Sequence, residues 1–316
     1  MKLFWICASV ALILLAGFFA TLIWSFRQAF YWPTAKKTVD PHRFLGEEKD
    51  LFCKEPMLAL VDELDARPFE QVFIRSHDGL RLAARLYVEE NTDTVEILFH
   101  GWRGSALRDG CGGSRMARDA GHTLLLVDQR AHGLSDGNVL SFGILEKYDC
   151  LGWARYAVER FGPDVKILLK GVSMGASTVL MAAGLDLPPQ VRGILADCSY
   201  SSPEAIIRKV CRVDLGIPDR IGYPLVRLSA RLFGGFSLQD GGAVEAVKHA
   251  TVPILIAHGT EDHFVPFSMA EEIYRACTAE KAFVRIKDAG HGLSFFYDRP
   301  LYEKLVTDFQ NKILSD

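Results

Sequence analysis

Six short apolar runs recur between residues 95 and 286, and none of them alternates between apolar and polar: Val95–Phe99, Thr123–Val127, Val165–Leu169, Gly193–Ala196, Pro253–Ala257 and Ala282–Ile286. A strand with one wet face alternates, because successive side chains point to opposite sides of the sheet. Runs apolar at most positions and without alternation belong to strands buried on both faces, which is the condition of a parallel sheet covered by helices. Most of the intervals hold helix-compatible stretches, such as Ser114–Ala120, Ile144–Phe161 and Ala176–Gly184. The pattern therefore predicts an α/β fold. Upstream, Gln71–Arg75 and Leu80–Tyr87 flank the turn Ser76-His77-Asp78-Gly79, a β-hairpin signal. The expectation is eight strands, the first pair antiparallel and the rest mostly parallel.

The chain is divided unevenly around this core. Leu3 to Phe26 carries no charged residue, and 24 residues at about 1.5 Å each reach across a hydrocarbon core of about 30 Å. Trp5 stands at one end and Trp24, Tyr31 and Trp32 near the other, as in interfacial aromatic belts. The exit Trp24-Ser25-Phe26-Arg27 is a poor cleavage site, which favours an uncleaved anchor over 1–30 above a signal peptide. Lys2 precedes the run while Arg27, Lys36 and Lys37 follow it, so the charge rule does not select a side. The seven cysteines show no CxxC or Cys/His metal spacing and read as reduced thiols, which leans toward a cytoplasmic catalytic domain. Residues 31–69, with Pro33, Pro41 and Pro56, read as a linker with one short helix. The domain proper is expected over 70–316, with an insertion at about 202–250 whose helices form a small lid over the sheet edge where ligands bind. A net charge of -3 and the lack of any Lys/Arg cluster argue against a nucleic-acid partner.

The sharpest motif is Gly171-Val172-Ser173-Met174-Gly175, a G-x-S-x-G placed directly after an apolar strand and before an Ala-rich helix. In that setting the serine sits on a tight strand-to-helix turn and presents its hydroxyl above the sheet edge. A hydroxyl is a weak nucleophile and needs a base, itself oriented by an acid. Of nine histidines, His291 follows the last strand, between Gly290 and Gly292. Asp262 follows the Pro253–Ala257 run and is the expected acid, with Asp197 the alternative. His258 and His263 are read as a structural and a rim residue. The oxyanion of a tetrahedral intermediate needs backbone donors, expected from Met174 N–H and from Trp102 N–H in the loop His100-Gly101-Trp102-Arg103-Gly104, with Arg103 N–H second. The Trp102 indole is expected either to wall an acyl pocket or to pack on the sheet edge. Asp109-Gly110-Cys111-Gly112-Gly113-Ser114 lacks a P-loop lysine and is read as a flexible loop entering a helix.

Together with Asp128-Gln129-Arg130-Ala131-His132-Gly133-Leu134-Ser135, these motifs resemble the α/β-hydrolase superfamily, most closely its serine aminopeptidase-like and monoacylglycerol-lipase-like branch. The resemblance covers about residues 70–312. It implies hydrolysis of esters, thioesters or amides by Ser173, His291 and Asp262, with no cofactor and no metal. It implies a structural part for Arg130, and Arg130 and His132 are left outside the catalytic set. With the anchor, it implies an esterase or lipase-like enzyme acting on a small acyl substrate, possibly a lipid, near the membrane. A serine peptidase and a non-catalytic membrane-tethered binding module are the alternatives.

Overall fold

The computed structural model describes residues 1–315. Eight strands form one sheet in the order β1-β2-β4-β3-β5-β6-β7-β8. They are β1 (Glu70–Arg75), β2 (Arg81–Tyr87), β3 (Thr94–Phe99), β4 (Thr123–Asp128), β5 (Lys166–Val172), β6 (Val191–Asp197), β7 (Ile254–Gly259) and β8 (Lys281–Ile286). β1 and β2 form the expected hairpin, β2 also runs antiparallel to β4, and every pairing from β3 to β8 is parallel. All six residues of β3 and of β7 are buried, and the one charge among them, Glu96, is paired with Lys170 and His122.

The helices, in chain order, are α1 (Lys2–Ala29), α2 (Lys54–Asp65), α3 (Ala106–Asp119), α4 (Glu146–Phe161), α5 (Met174–Ala182), α6 (Pro203–Lys209), α7 (Asp219–Ser229), α8 (Ala243–Ala246), α9 (Phe267–Ala276), α10 (Ser294–Tyr297) and α11 (Arg299–Leu314). One face of the sheet buries Trp153 and Ala157 of α4, Val179 and Leu180 of α5 and Ile273 of α9. The other buries Val61 and Leu64 of α2, Leu107 and Met116 of α3 and Val306 and Phe309 of α11. A third cluster lies beyond the carboxyl edge of the strands, where Phe26, Phe30, Met174, Tyr200, Tyr223, Phe236 and Val265 pack together.

Three segments differ from the sequence expectation. The stretch Asp109–Ser114 is not a flexible loop; it lies inside α3, which starts eight residues before Ser114 because Gly110, Gly112 and Gly113 face Leu126, Phe295 and Leu98 at distances that leave no room for a side chain. Residues 54–65 form α2, a helix within the expected linker, but its apolar face is buried in the domain core, so this segment packs as part of the domain. The apolar helix α1 is exposed up to Thr21, and then Leu22, Ser25 and Phe26 are buried, with Phe26 in ring contact with Phe233 beyond α7. Its carboxyl end is thus part of the third cluster, not of a free anchor.

Arg130, at the end of β4, is almost wholly buried and donates two hydrogen bonds to Asp149 of α4 (2.6 and 2.7 Å) and two to Asp78 in the β1–β2 turn (2.9 and 3.3 Å). Burial raises the Asp149 pKa to about 6 even against the pull of Arg130. Arg130→Ala would leave that carboxylate buried without its counter-charge and is expected to destabilise the domain by about 3–5 kcal/mol. Urea unfolding followed by circular dichroism measures this. A loss within about 1 kcal/mol, the size of a surface pair, would refute it.

Candidate active site

The strand carboxyl ends bring Ser173, Asp262 and His291 to one edge. β5 ends at Val172, Ser173 turns the chain and α5 begins at Met174. Ser173 has φ 55° and ψ -114°, a conformation that L-residues adopt only under constraint. The constraint is steric and local. A Cβ on Gly171 would lie 2.3 Å from the Gly175 carbonyl carbon, and one on Gly175 would lie 2.0 Å from the Phe99 carbonyl oxygen. Only glycines let β5, α5 and the end of β3 approach this closely. Met174 is the first residue of α5, so its N–H has no acceptor inside the helix and lies at the positive end of the helix dipole, beside the serine.

The loop after β7 carries Asp262 and the loop after β8 carries His291. The two loops are locked together: Glu261 N–H donates to the Ala289 carbonyl (3.1 Å) and Asp288 N–H to the Thr260 hydroxyl (2.9 Å). The buried Asp262 carboxylate accepts the N–H groups of Phe264 (3.0 Å) and Val265 (2.8 Å) on Oδ1, and its Oδ2 lies 2.7 Å from His291 Nδ1. His291 Nε2 is 2.9 Å from Ser173 Oγ. An ionised carboxylate only accepts, so Nδ1 carries the proton and the Nε2 lone pair faces the serine hydroxyl. Burial works against the His291 imidazolium, yet the charge of Asp262 and the hydrogen bond to it outweigh burial and raise the pKa above its ordinary 6.5. Burial likewise opposes ionisation of Asp262, but the imidazoles of His291 and His258 hold its pKa below the ordinary carboxylate value.

The other candidates occupy different places. Asp197 lies under the site, but its carboxylate accepts from Ser294 Oγ (3.0 Å) and Tyr302 OH (3.1 Å), and burial raises its pKa. His258 is fully buried, donates from Nε2 to the Val265 carbonyl (2.9 Å) and stands 3.3 Å from Asp262 Oδ2. His263 is exposed on the rim. His100 is buried beside the Gly101 carbonyl, and the Gln129 N–H donates to its Nε2 (3.1 Å). The Gly101–Gly104 loop runs next to Ser173, close enough that a Cβ on Gly101 would sit 3.4 Å from the serine Cβ. Trp102 lines the cavity at Ser173, the first of its two expected places, and its indole Nε1 donates to the Ala29 carbonyl (3.2 Å). Asp109, which the sequence shows only as the start of a glycine-rich stretch, accepts the Gly101 N–H on Oδ2 (2.8 Å) and so fixes the start of this loop. The available signal was an acidic residue in the first turn of a helix, too common to single out.

A cavity of about 900 Å³ opens at Ser173 and His291. It continues between the sheet and α3 and α11, past Met116, Leu195, Leu255 and Val306. The segment 32–46 borders its outer part.

No family model matches the chain. It is 26% identical over 191 residues to the uncharacterized protein YqkD of Bacillus subtilis, covering 60% of this chain and 63% of that one. It is 24% identical over 164 residues to the esterase LipC of Mycobacterium tuberculosis, covering 47% of this chain and 40% of that one. The chain thus spans less than two thirds of the length of these relatives. Among solved structures it resembles the esterase Pf2001 of Pyrococcus furiosus, with TM-score 0.62, 18% identity, and coverage of 87% of this chain and 98% of that one. It also resembles Est1E of Butyrivibrio proteoclasticus, solved with ferulic acid, with TM-score 0.59, 21% identity, and coverage of 78% and 100%. The strand order, the turn at Ser173 and these likenesses agree: the chain has the α/β-hydrolase fold.

Proposed function

We propose that this chain is a membrane-anchored serine hydrolase that cleaves acyl esters. The observation that carries the reading is the hydrogen-bonded series Ser173 Oγ, His291 Nε2, His291 Nδ1 and Asp262 Oδ2, with spacings of 2.9 and 2.7 Å, at the mouth of a largely apolar cavity. Ser173 attacks the ester carbonyl while His291 takes its proton, giving a tetrahedral oxyanion held by the N–H groups of Met174 and Trp102. His291 returns the proton to the leaving alcohol, and an acyl-enzyme remains. Water activated by the same imidazole then releases the acid and restores the serine. Asp262 holds the imidazole in the required tautomer throughout. No redox group or metal enters these steps.

The anchor half of the reading rests on α1, 28 residues long and apolar enough to cross a bilayer. Its exposed part, up to Thr21, spans about 30 Å at about 1.5 Å per residue, the thickness of a hydrocarbon core. The substrate is a small acyl ester, with a membrane lipid the favoured class. Helices α6 and α7 act as the lid, packed on the cluster that contains Met174, while α8 packs against the sheet face beside α5.

The test uses the full chain in detergent with 4-nitrophenyl esters of increasing acyl length. Because each buried methylene contributes about 0.8 kcal/mol, kcat/KM is expected to rise by up to about fourfold per added methylene until the chain fills the cavity. Failure to turn over any ester would refute the reading. A fall with every added carbon would refute the apolar cavity as the acyl site.

A further inference from the structure

The carboxyl end of α1 and the Gly101–Gly104 loop complete each other. A helix leaves its last four carbonyls without acceptor duty inside the helix, and when such an end is buried they must be satisfied from elsewhere. In α1 these belong to Phe26, Arg27, Gln28 and Ala29. The Phe26 carbonyl takes the N–H groups of Phe30 (2.8 Å) and Tyr31 (3.1 Å). The other three are taken by the loop beside Ser173. Arg103 Nη2 faces the carbonyls of Arg27 (3.2 Å) and Gln28 (2.9 Å), and also that of Tyr31 (3.0 Å), while Trp102 Nε1 donates to Ala29 (3.2 Å).

The pairing is electrostatically sound as well as geometric, since a guanidinium at a helix carboxyl end meets the negative pole of the dipole. Arg103 also stacks over the rings of Trp102 and Trp32, at 4.2 and 4.8 Å from their centroids. It holds φ 49°, a left-handed conformation that a residue with a side chain keeps only when its surroundings enforce it. From the opposite side, Asp109 grips the Gly101 N–H. The chain leaving α1 is itself pinned to the domain, since Leu140 N–H donates to the Phe30 carbonyl (2.8 Å) and Trp32 N–H to the Asn138 carbonyl (2.8 Å).

We infer that Arg103 and Trp102 are positioning residues through which the end of the apolar helix α1 holds the oxyanion loop in its working conformation, so that the same helix anchors the protein and assembles its active site. This rests on the serine-hydrolase reading given above. The Trp102 N–H matters most when charge develops on the substrate oxygen, so loosening the loop lowers kcat while leaving ground-state binding nearly unchanged.

The experiment compares Arg103→Ala, Arg103→Lys and Trp102→Phe with the wild type, all as full chains in detergent, on 4-nitrophenyl butyrate. It is read together with amide hydrogen exchange over residues 22–31. Expected for Arg103→Ala is a fall in kcat of about tenfold or more with KM within about twofold, and faster exchange at the end of α1. Arg103→Lys, which keeps the charge but loses the planar guanidinium stacked over Trp102 and Trp32, is expected between Arg103→Ala and the wild type. If Arg103→Ala does not fold, Trp102→Phe decides, since it removes only the indole donor: a loss of about threefold in kcat at an unchanged melting temperature supports the inference. An undiminished kcat in the deciding variant, or a loss confined to KM, overturns it. Turnover that survives Ser173→Ala would sink the hydrolase reading itself, whereas an inert Ser173→Ala beside a fully active Arg103→Ala would sink this inference alone.

Discussion

Ser173→Ala is expected to lower kcat by about 10⁴-fold or more while the protein stays folded. The hydroxyl has the His291 ring as its hydrogen-bond partner and lies in a turn whose geometry is imposed by Gly171 and Gly175, so its loss removes the nucleophile and little else. Alanine meets the same left-handed backbone penalty as serine, and no cavity larger than one oxygen is left. The measurement is steady-state hydrolysis beside a far-ultraviolet circular dichroism melt. The double variant Ser173→Ala/His291→Ala is expected to be no slower than either single variant, because a base without a nucleophile has nothing to activate. If the two losses multiplied, the residues would act independently and the proton relay would be wrong. If Ser173→Ala kept a rate within about tenfold of the wild type, another group would be the nucleophile.

The sheet was legible because its strands are too buried to alternate, and a run such as Ile254-Leu255-Ile256-Ala257 has few ways to be satisfied outside a covered parallel sheet. The turn at Ser173 was legible because two glycines two residues from a serine, between strand and helix, are a steric requirement written directly in residue types. Asp262 could be preferred to Asp197 from its place in a loop, but the reason it faces His291 is the tie between the β7 and β8 loops, a contact between segments with no local pattern. The start of α3 was misplaced because three glycines in a row of six normally argue against a helix. Here tertiary packing against Leu98, Leu126 and Phe295 outweighs the propensity cost of about 1 kcal/mol each. The docking of α1 was not legible at all. A 24-residue uncharged run reads the same whether its last turns lie in lipid or in protein, and the partners that hold its end here, Trp102, Arg103, Leu140 and Phe233, lie far along the chain.

Asp262→Asn is expected to lower kcat by roughly 10⁴-fold at neutral pH and to shift the acid limb of the pH profile downward. Asparagine nearly preserves shape, but its amide can turn an N–H toward His291 Nδ1. That favours the tautomer with the proton on Nε2, which cannot accept from Ser173. The sign of the pH effect follows from what holds the imidazolium. In the wild type the Asp262 charge and hydrogen bond raise the His291 pKa above 6.5 against the effect of burial. The base is active only when neutral, so kcat/KM rises with pH through that raised value. With the carboxylate gone, burial acts with less opposition and favours the neutral ring, so the midpoint of the rise moves to lower pH. Profiles of kcat/KM between about pH 5 and 9 for both proteins test this directly. Asp197→Asn is the control, because its carboxylate binds Ser294 and Tyr302 instead of the ring nitrogen. It is expected to cost stability more than rate. The reverse result, a collapse of kcat in Asp197→Asn with Asp262→Asn nearly unaffected, would assign the orienting acid to β6 and undo the triad proposed here.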